Sequence, residues 1–324
     1  MFDVMGIGMS VMDQLVLVDG LPTYNQGAKV LETSWQYGGK VPGGMIAVAR
    51  LGCKGAMVGA VGGNVGALVR KDFERHGIDC SYLLDRPDTQ TGIVLAMADQ
   101  STGGRSLMGM PSGMARPEPP SLQELDPEYV QNGKVLLISN FDEVTRQAAK
   151  WYKAAGKPVV IDADWYSDDT YNNMPLVDHF IASEFFYEKL FGKSAAFEAN
   201  LRALRERLRS DKGVVVVTLG EKGLVGVDDR GAFFQLPAFK VEVKDTTGAG
   251  DVFHGAYASG LTMGLPVQAI CRLASGVSAI KCTRLGGRAG LPSLETVQKF
   301  LETGVIDYAE IDERVAYYRK MPLL

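Results

Sequence analysis

The chain has 324 residues, and 34 Lys and Arg set against 38 Asp and Glu give a net charge of −4. With 46% hydrophobic and 22% charged residues it can bury a full core and keep a solvated surface. The acidic balance argues against a nucleic-acid or anionic-membrane surface, and no uncharged apolar run reaches the roughly 18 residues of a spanning helix.

In chain order, the opening segment contains Asp3, Asp13 and Asp19 and no basic stretch, so it reads as a core strand rather than a signal peptide. A strand is predicted at 3–7, ending in the glycine turn around Gly6 and Gly8. Residues 14–38 read as extended segments joined by turns at Pro22, Asn25 and Gly27. A glycine-started, alanine-rich helix is expected at 43–52, a buried strand at 56–59, and a helix at 65–76 with Gly77 as its C-cap. Residues 91–97 and 106–110 form a hairpin signature around the loop 99–104. From Lys134 the rhythm changes. Strands at 135–139, 159–161, 180–182 and 214–218 alternate with helices at 144–155 and 195–209, which requires parallel strands covered on both faces. A hairpin of 224–227 with 233–236 precedes an extended 241–243, then a long helical region and the stretch 274–282.

The segments near 14–38 and 91–110 break this alternation. The expectation is one α/β domain over residues 1–324, with these two pieces paired as a small discontinuous β-sheet lid. Cys53, Cys80, Cys271 and Cys282 show no C-x-x-C spacing and read as reduced thiols, which points to a cytoplasmic protein. His76, His179 and His254 are too scattered for a zinc site, so each reads as structural.

Glycine is the unusual component, 38 residues or about 12% against a usual share of about 7%. The sharpest cluster is Asp245-Thr246-Thr247-Gly248-Ala249-Gly250-Asp251, immediately before an apparent helix. Gly248, Ala249 and Gly250 can turn their N–H groups together into an anion-holding concavity, helped by the helix N-terminus. Asp251 then sits in the first helical turn. It either caps the helix or takes the proton of a hydroxyl that attacks a phosphoryl group held by the same amides. G-x-x-x-x-G-K-[ST] is absent, and residues 6–11 do not complete G-x-G-x-x-G, so neither a Walker-type NTPase nor a dinucleotide-binding oxidoreductase is favoured.

Asp245–Tyr257, DTTGAGDVFHGAY, closely resembles the C-terminal signature of the ribokinase/PfkB carbohydrate kinases. Gly38-Gly39 with the following alanine-rich helix resembles that family's N-terminal signature. Gly59-Ala60-Val61-Gly62 and Thr218-Leu219-Gly220-Glu221-Lys222-Gly223 resemble two further family segments. The resemblance implies a ribokinase-like three-layer α/β/α sandwich with a lid, and ATP- and Mg²⁺-dependent phosphorylation of a sugar hydroxyl. It implies Asp251 as catalytic base over an anion hole of Gly248, Ala249 and Gly250. Asp13, matched to an acidic residue near the end of strand one, would bind sugar hydroxyls beside Gly39 and Lys40. Thr218, Gly220 and Gly223 would lie against the nucleotide, and Asp245 and Thr247 beside a monovalent cation such as K⁺. The exposed edges of such a lid suggest a homodimer formed through it, as in many related kinases, with a monomer as the alternative. The plain readings stand alongside: a surface lysine for Lys40, a strand-ending turn for Thr218 and Gly220, and an Asx turn for Asp245.

The sequence departs from the family at Ser183-Glu184-Phe185-Phe186, where N-x-x-E is usual near magnesium. Glu184 is left to act there through water. Asn64 stands where an acidic residue often follows G-x-V-G, and Val41-Pro42-Gly43-Gly44 stands where an asparagine is usual. A narrower resemblance, over 237–255 and 274–290, is to bacterial sulfofructose kinases. The arginine expected near Asn140 is missing, and Arg284 and Arg288 read as contacts to nucleotide phosphate or as braces of a C-terminal turn. Rival readings are a nucleoside kinase of the same superfamily and a catalytically silent sugar-binding regulator.

Overall fold

A computed structural model describes residues 1–111 and 113–321. Its strands are β1 (Phe2–Ile7), β2 (Val11–Val18), β3 (Val30–Gly38), β4 (Gly55–Gly62), β5 (Asp79–Arg86), β6 (Gly92–Asp99), β7 (Arg105–Met110), β8 (Gly133–Ile138), β9 (Val159–Ala163), β10 (His179–Ser183), β11 (Val214–Thr218), β12 (Leu224–Val227) and β13 (Phe233–Leu236). Its helices are α1 (Lys40–Arg50), α2 (Gly66–Arg75), α3 (Pro127–Gln131), α4 (Glu143–Ala154), α5 (Asp168–Asn172), α6 (Glu184–Phe191), α7 (Phe197–Arg205), α8 (Ala249–Thr262), α9 (Val267–Cys282), α10 (Leu294–Thr303) and α11 (Ala309–Arg319).

The main sheet has nine strands in the order β13-β12-β11-β10-β9-β8-β1-β4-β5. From β11 to β5 neighbouring strands are parallel, and the β12–β13 hairpin closes one edge antiparallel. The valine run of β11 shows why the sheet is covered twice. Val214 and Val216 enter the core shared with α1, α8 and α9, and Val215 and Val217 enter the core shared with α4, α6 and α7. Each such valine contributes about 1.5–3 kcal/mol when fully buried, so neither face tolerates solvent. The result is the three-layer α/β/α sandwich expected from the alternation.

A second, four-stranded sheet has the order β3-β2-β6-β7. It is discontinuous in sequence: β2 pairs antiparallel with β3 and parallel with β6, the latter across the 73 residues of chain between Val18 and Gly92. Leu15, Leu17, Ala96 and Ala98 on one face pack with Leu285 of the main body. Val30, Leu31, Leu107, Met108 and Met110 of its strands are exposed. Among the described residues, no helix is long and apolar enough to cross a membrane.

Three differences from the sequence reading have physical reasons, and the C-terminal helices are a fourth difference. Asp13 lies on β2, because strand one closes at Ile7 and the chain then enters the small sheet. Strand β5 was not foreseen: it pairs only with β4 at the sheet edge, and its Asp79, Asp85 and Arg86 mask its apolar alternation. Residues 241–243 form no strand, since the next amides, Lys244 and Asp245, both bond the Cys282 carbonyl at the end of α9 (2.8 and 3.1 Å). Helices α10 and α11 at the C-terminus were not assigned from sequence.

Candidate active site

The carboxyl ends of the parallel strands open on one edge of the sheet, the usual place for ligands in such folds. Helix α8 begins above that edge. Its N-cap is Gly248, at φ +74°, where an L side chain is strained. A Cβ there would also stand 2.9 Å from the Gly287 Cα. The Ala249 amide donates to the Thr246 carbonyl at 3.1 Å, which leaves the amides of Gly250 and Asp251 as the outward donors of the first turn. A Cβ on Gly250 would meet nothing within 4 Å, and Gly250 itself is exposed. Such a loop can hold an anion with backbone groups alone.

Asp251 is the third residue of α8 and forms no capping box with Gly248. It shares a pocket with Asp13, Gly39, Gly43 and Gly248. Burial, with the Asp162 charge second, pushes the Asp251 carboxyl up to about 7; Lys40 opposes the rise, while Asp13 and Asp164 add to it. Burial likewise pushes Asp13 up to about 7 against the pull of Arg288. Asp13 has room only because position 38 is glycine, whose Cβ would overlap its carboxylate. Lys40 opens α1 and pairs with Asp164 at 3.4 Å, so it faces carboxylates rather than bulk solvent alone.

Asp162 and Asp164, at the end of β9, were not singled out from the sequence. The signal was an Asp-Ala-Asp at the carboxyl end of a predicted parallel strand. His254 joins the same group, with Nδ1 2.6 Å from the Gly250 carbonyl and 3.4 Å from Asp162. It therefore braces the first turn of α8 from inside.

The other sequence candidates fall at neighbouring strand ends. Thr218 ends β11, Gly220 opens the turn after it, and Gly223 closes that turn at φ +91° with its carbonyl accepting from Leu219 N (2.8 Å). Ser183 caps α6: its hydroxyl accepts from the Phe185 and Phe186 amides and donates to the Asp164 carbonyl at 2.5 Å. Phe186 is fully buried against Phe180, and Glu184 sits in the first turn of α6, where a carboxylate complements the helix dipole. Asn64 bonds the backbone of Thr91 and so ties β4 to the small sheet. Arg284 pairs with Asp312 and Arg288 with Asp72, so both brace the C-terminal region.

Asp245 is fully buried behind the cradle. Its Oδ1 accepts from the amide and hydroxyl of Thr247 (2.8 and 2.7 Å), and its Oδ2 accepts from the Gly286 amide (2.7 Å). Burial works against its charge, but Lys281 and these hydrogen bonds outweigh it and hold the carboxyl below its usual range. The Asx turn read from the sequence is therefore present.

Residues 1–294 match the model of the pfkB family of carbohydrate kinases. The chain belongs to the PfkB family. It is 28% identical over 300 residues to a ribokinase of Lactococcus lactis, an alignment covering 91% of this chain and 96% of that one. It is 25% identical over 321 residues to a 5-dehydro-2-deoxygluconokinase of Shouchella clausii, covering 93% and 96%. Among solved structures, a ribokinase of Thermotoga maritima superposes with a TM-score of 0.76 at 25% identity, covering 94% of this PfkB chain and all of that one. A ribokinase of Arabidopsis thaliana, complexed with ribose and ATP, gives 0.77 at 23% identity over 93% and 99%, which speaks to the fold.

Proposed function

We propose that this chain transfers the γ-phosphoryl group of Mg-ATP to a hydroxyl of a sugar or sugar derivative. The observation that carries the reading is the position of Asp251. It stands at the mouth of the α8 cradle, in one pocket with Asp13, and its proton affinity lies near neutrality. A base so tuned is ionised often enough to act and basic enough to accept a hydroxyl proton.

In this reading Asp13 and the backbone at Gly39 hold sugar hydroxyls, and Asp251 takes the proton of the attacking one. The amides at the start of α8 receive the transferred phosphoryl group, with the helix terminus adding favourable potential. Lys40 balances the excess negative charge of Asp162, Asp164 and Asp251. Thr218, Gly220 and Gly223 border the nucleotide. The small sheet acts as a lid that keeps water from the transfer, the whole chain serving as one catalytic unit.

Magnesium fits this site as part of the nucleotide. Among the described residues, no three His, Cys, Asp or Glu side chains form a ready ion cage, whereas one or two carboxylates beside a phosphate cradle suit magnesium, which keeps waters and phosphate ligands. One carboxylate of the Asp162–Asp164 pair would hold it, with Glu184 acting through water. The ion would neutralise charge developing on the phosphoryl oxygens.

The exposed apolar strands of the lid, with Val30, Leu31, Leu107 and Met108, favour a homodimer formed there. Light scattering would give the mass of the pair.

The test of function is ATP consumption across neutral sugars, sugar acids, phosphorylated and sulfonated sugars, and nucleosides, with product mapping. ADP release dependent on an added sugar supports the reading. Turnover with nucleosides alone makes the chain a nucleoside kinase, and binding without turnover makes it a silent sugar-binding protein. The sulfonated sugar, sulfofructose, enters as one arm, and the pairing of Arg284 and Arg288 with carboxylates weakens the case for it.

A further inference from the structure

We infer that the ammonium group of Lys281 is the fixed cation beneath the phosphate cradle, standing where a bound potassium ion would, so that phosphoryl transfer by this chain needs no monovalent salt. The inference rests on the kinase reading above and concerns the support of its cradle.

Lys281 lies in the last turn of α9 and is completely buried. Its Nζ donates to the Asp245 carbonyl oxygen at 2.8 Å. A buried lysine is rare unless its charge is matched. Here it is matched twice, by the ionised carboxylate of the same Asp245 and by the negative end of the α9 dipole.

From Asp245 the bracing reaches the cradle by two routes. Oδ1 holds the amide and hydroxyl of Thr247, the residue before Gly248, and Oδ2 holds the amide of Gly286, the residue before Gly287. Gly248 and Gly287 touch through their backbones. Lys281 thereby fixes both sides of the contact that sets the cradle's shape, and it acts as a positioning residue.

The oxygens around Lys281 are already engaged by donors. The carboxylate oxygens of Asp245 are already occupied by backbone and hydroxyl donors, and the nearby Cys282 carbonyl accepts from Lys244 N and Asp245 N. A potassium ion would have to share these oxygens with those donors and with the Lys281 ammonium. It would also set two positive charges against one carboxylate in a site shielded from water, where unbalanced charge is costly.

Three measurements test this. Replacing KCl by choline chloride at constant ionic strength should leave the turnover of the wild-type chain unchanged to within about twofold, and activation by about tenfold or more would overturn the inference. Crystals grown in rubidium chloride should show no anomalous peak beside the Asp245 carbonyl or Thr247; a peak there would overturn it. That readout, with the thermal midpoint in KCl against choline chloride, needs no turnover, so it stands apart from the kinase assignment. Finally, Lys281→Met should lower kcat with little change in the sugar KM, and added ammonium or methylammonium should restore part of it. A soluble, folded variant with unaltered kcat, or one whose loss no cation relieves, would count against Lys281 as the cation. Should the variant not fold, the two wild-type measurements decide.

Discussion

Gly44 of α1 and Gly255 of α8 meet backbone to backbone: a Cβ on Gly255 would overlap the Gly44 carbonyl, and one on Gly44 would come within 3.0 Å of the Asp251 carbonyl oxygen. This seam sets the distance between the helix that begins at Gly39 and Lys40 and the helix that carries Asp251. Two halves of the proposed site, one facing sugar and one facing phosphate, are registered by a contact that only hydrogen side chains permit.

Gly255→Ala should therefore force α1 and α8 apart. Overpacking of this kind costs about 1–3 kcal/mol, and denaturant unfolding should show a loss in that range. Turnover of the folded fraction should fall as well, since Asp251 moves with α8. Unchanged stability and turnover would mean that the seam can open without consequence.

The pH dependence of turnover should carry the environment of Asp251. With its carboxyl near 7, kcat/KM should fall as pH drops below neutrality, because the base is then protonated. Lys40 lowers that proton affinity and Asp164 raises it. Lys40→Met should move the acid limb of the profile to higher pH, and Asp164→Asn should move it to lower pH. Opposite displacements measured on the two variants would identify the titrating group.

The same carboxyls make an inverse statement about stability. Asp13 and Asp251 bind a proton more tightly in the folded chain than in the unfolded one, where the usual value is 3.8. Their contribution is fully present below about pH 3.8 and is lost as pH rises through about 7. Asp13→Asn or Asp251→Asn should accordingly raise the thermal midpoint at pH 8, and the difference from wild type should vanish near pH 4. The site would then be retained at a cost to stability, as is common for charged groups held for chemistry.

Asp72 offers a different kind of test. It pairs with the fully buried guanidinium of Arg288 and accepts from the Tyr318 hydroxyl at 2.8 Å, which anchors α11. Breaking a buried pair on one side typically costs about 3–5 kcal/mol, so Asp72→Ala should destabilise strongly. Replacing Asp72 and Arg288 together by apolar residues should recover much of that loss, measured by denaturant unfolding.

The sequence made the layered fold legible because periodicity and glycine punctuation are local signals. Valines at 214–217 declared a strand covered on both faces, and Gly77, at φ +73°, ended α2 where its position suggested. The breaks in rhythm near 14–38 and 91–110 located the small sheet, although not the parallel pairing of β2 with β6, which is a long-range property. At the site, the glycine run 248–250 at the start of α8 was legible because a tight turn into a helix demands small residues, while the bond from the Ala249 amide to the Thr246 carbonyl was not. Asp162 and Asp164 left a signal in the Asp-Ala-Asp at the end of β9, whereas the partners of His254 and Lys281 appear only once the chain has folded against them. Lys281 is the clearest case: in sequence it is the helix-terminal lysine of an apolar stretch, and only folding places its ammonium on the Asp245 carbonyl.

The most direct test of the kinase reading is sugar-dependent ADP formation by Asp251→Asn, measured beside ATP binding by calorimetry. Loss of a general base lowers turnover by about 10²–10⁴-fold, and that drop is expected with ATP affinity and folding intact. Turnover close to that of the wild-type chain would contradict Asp251 as the base, and with it the proposed mechanism.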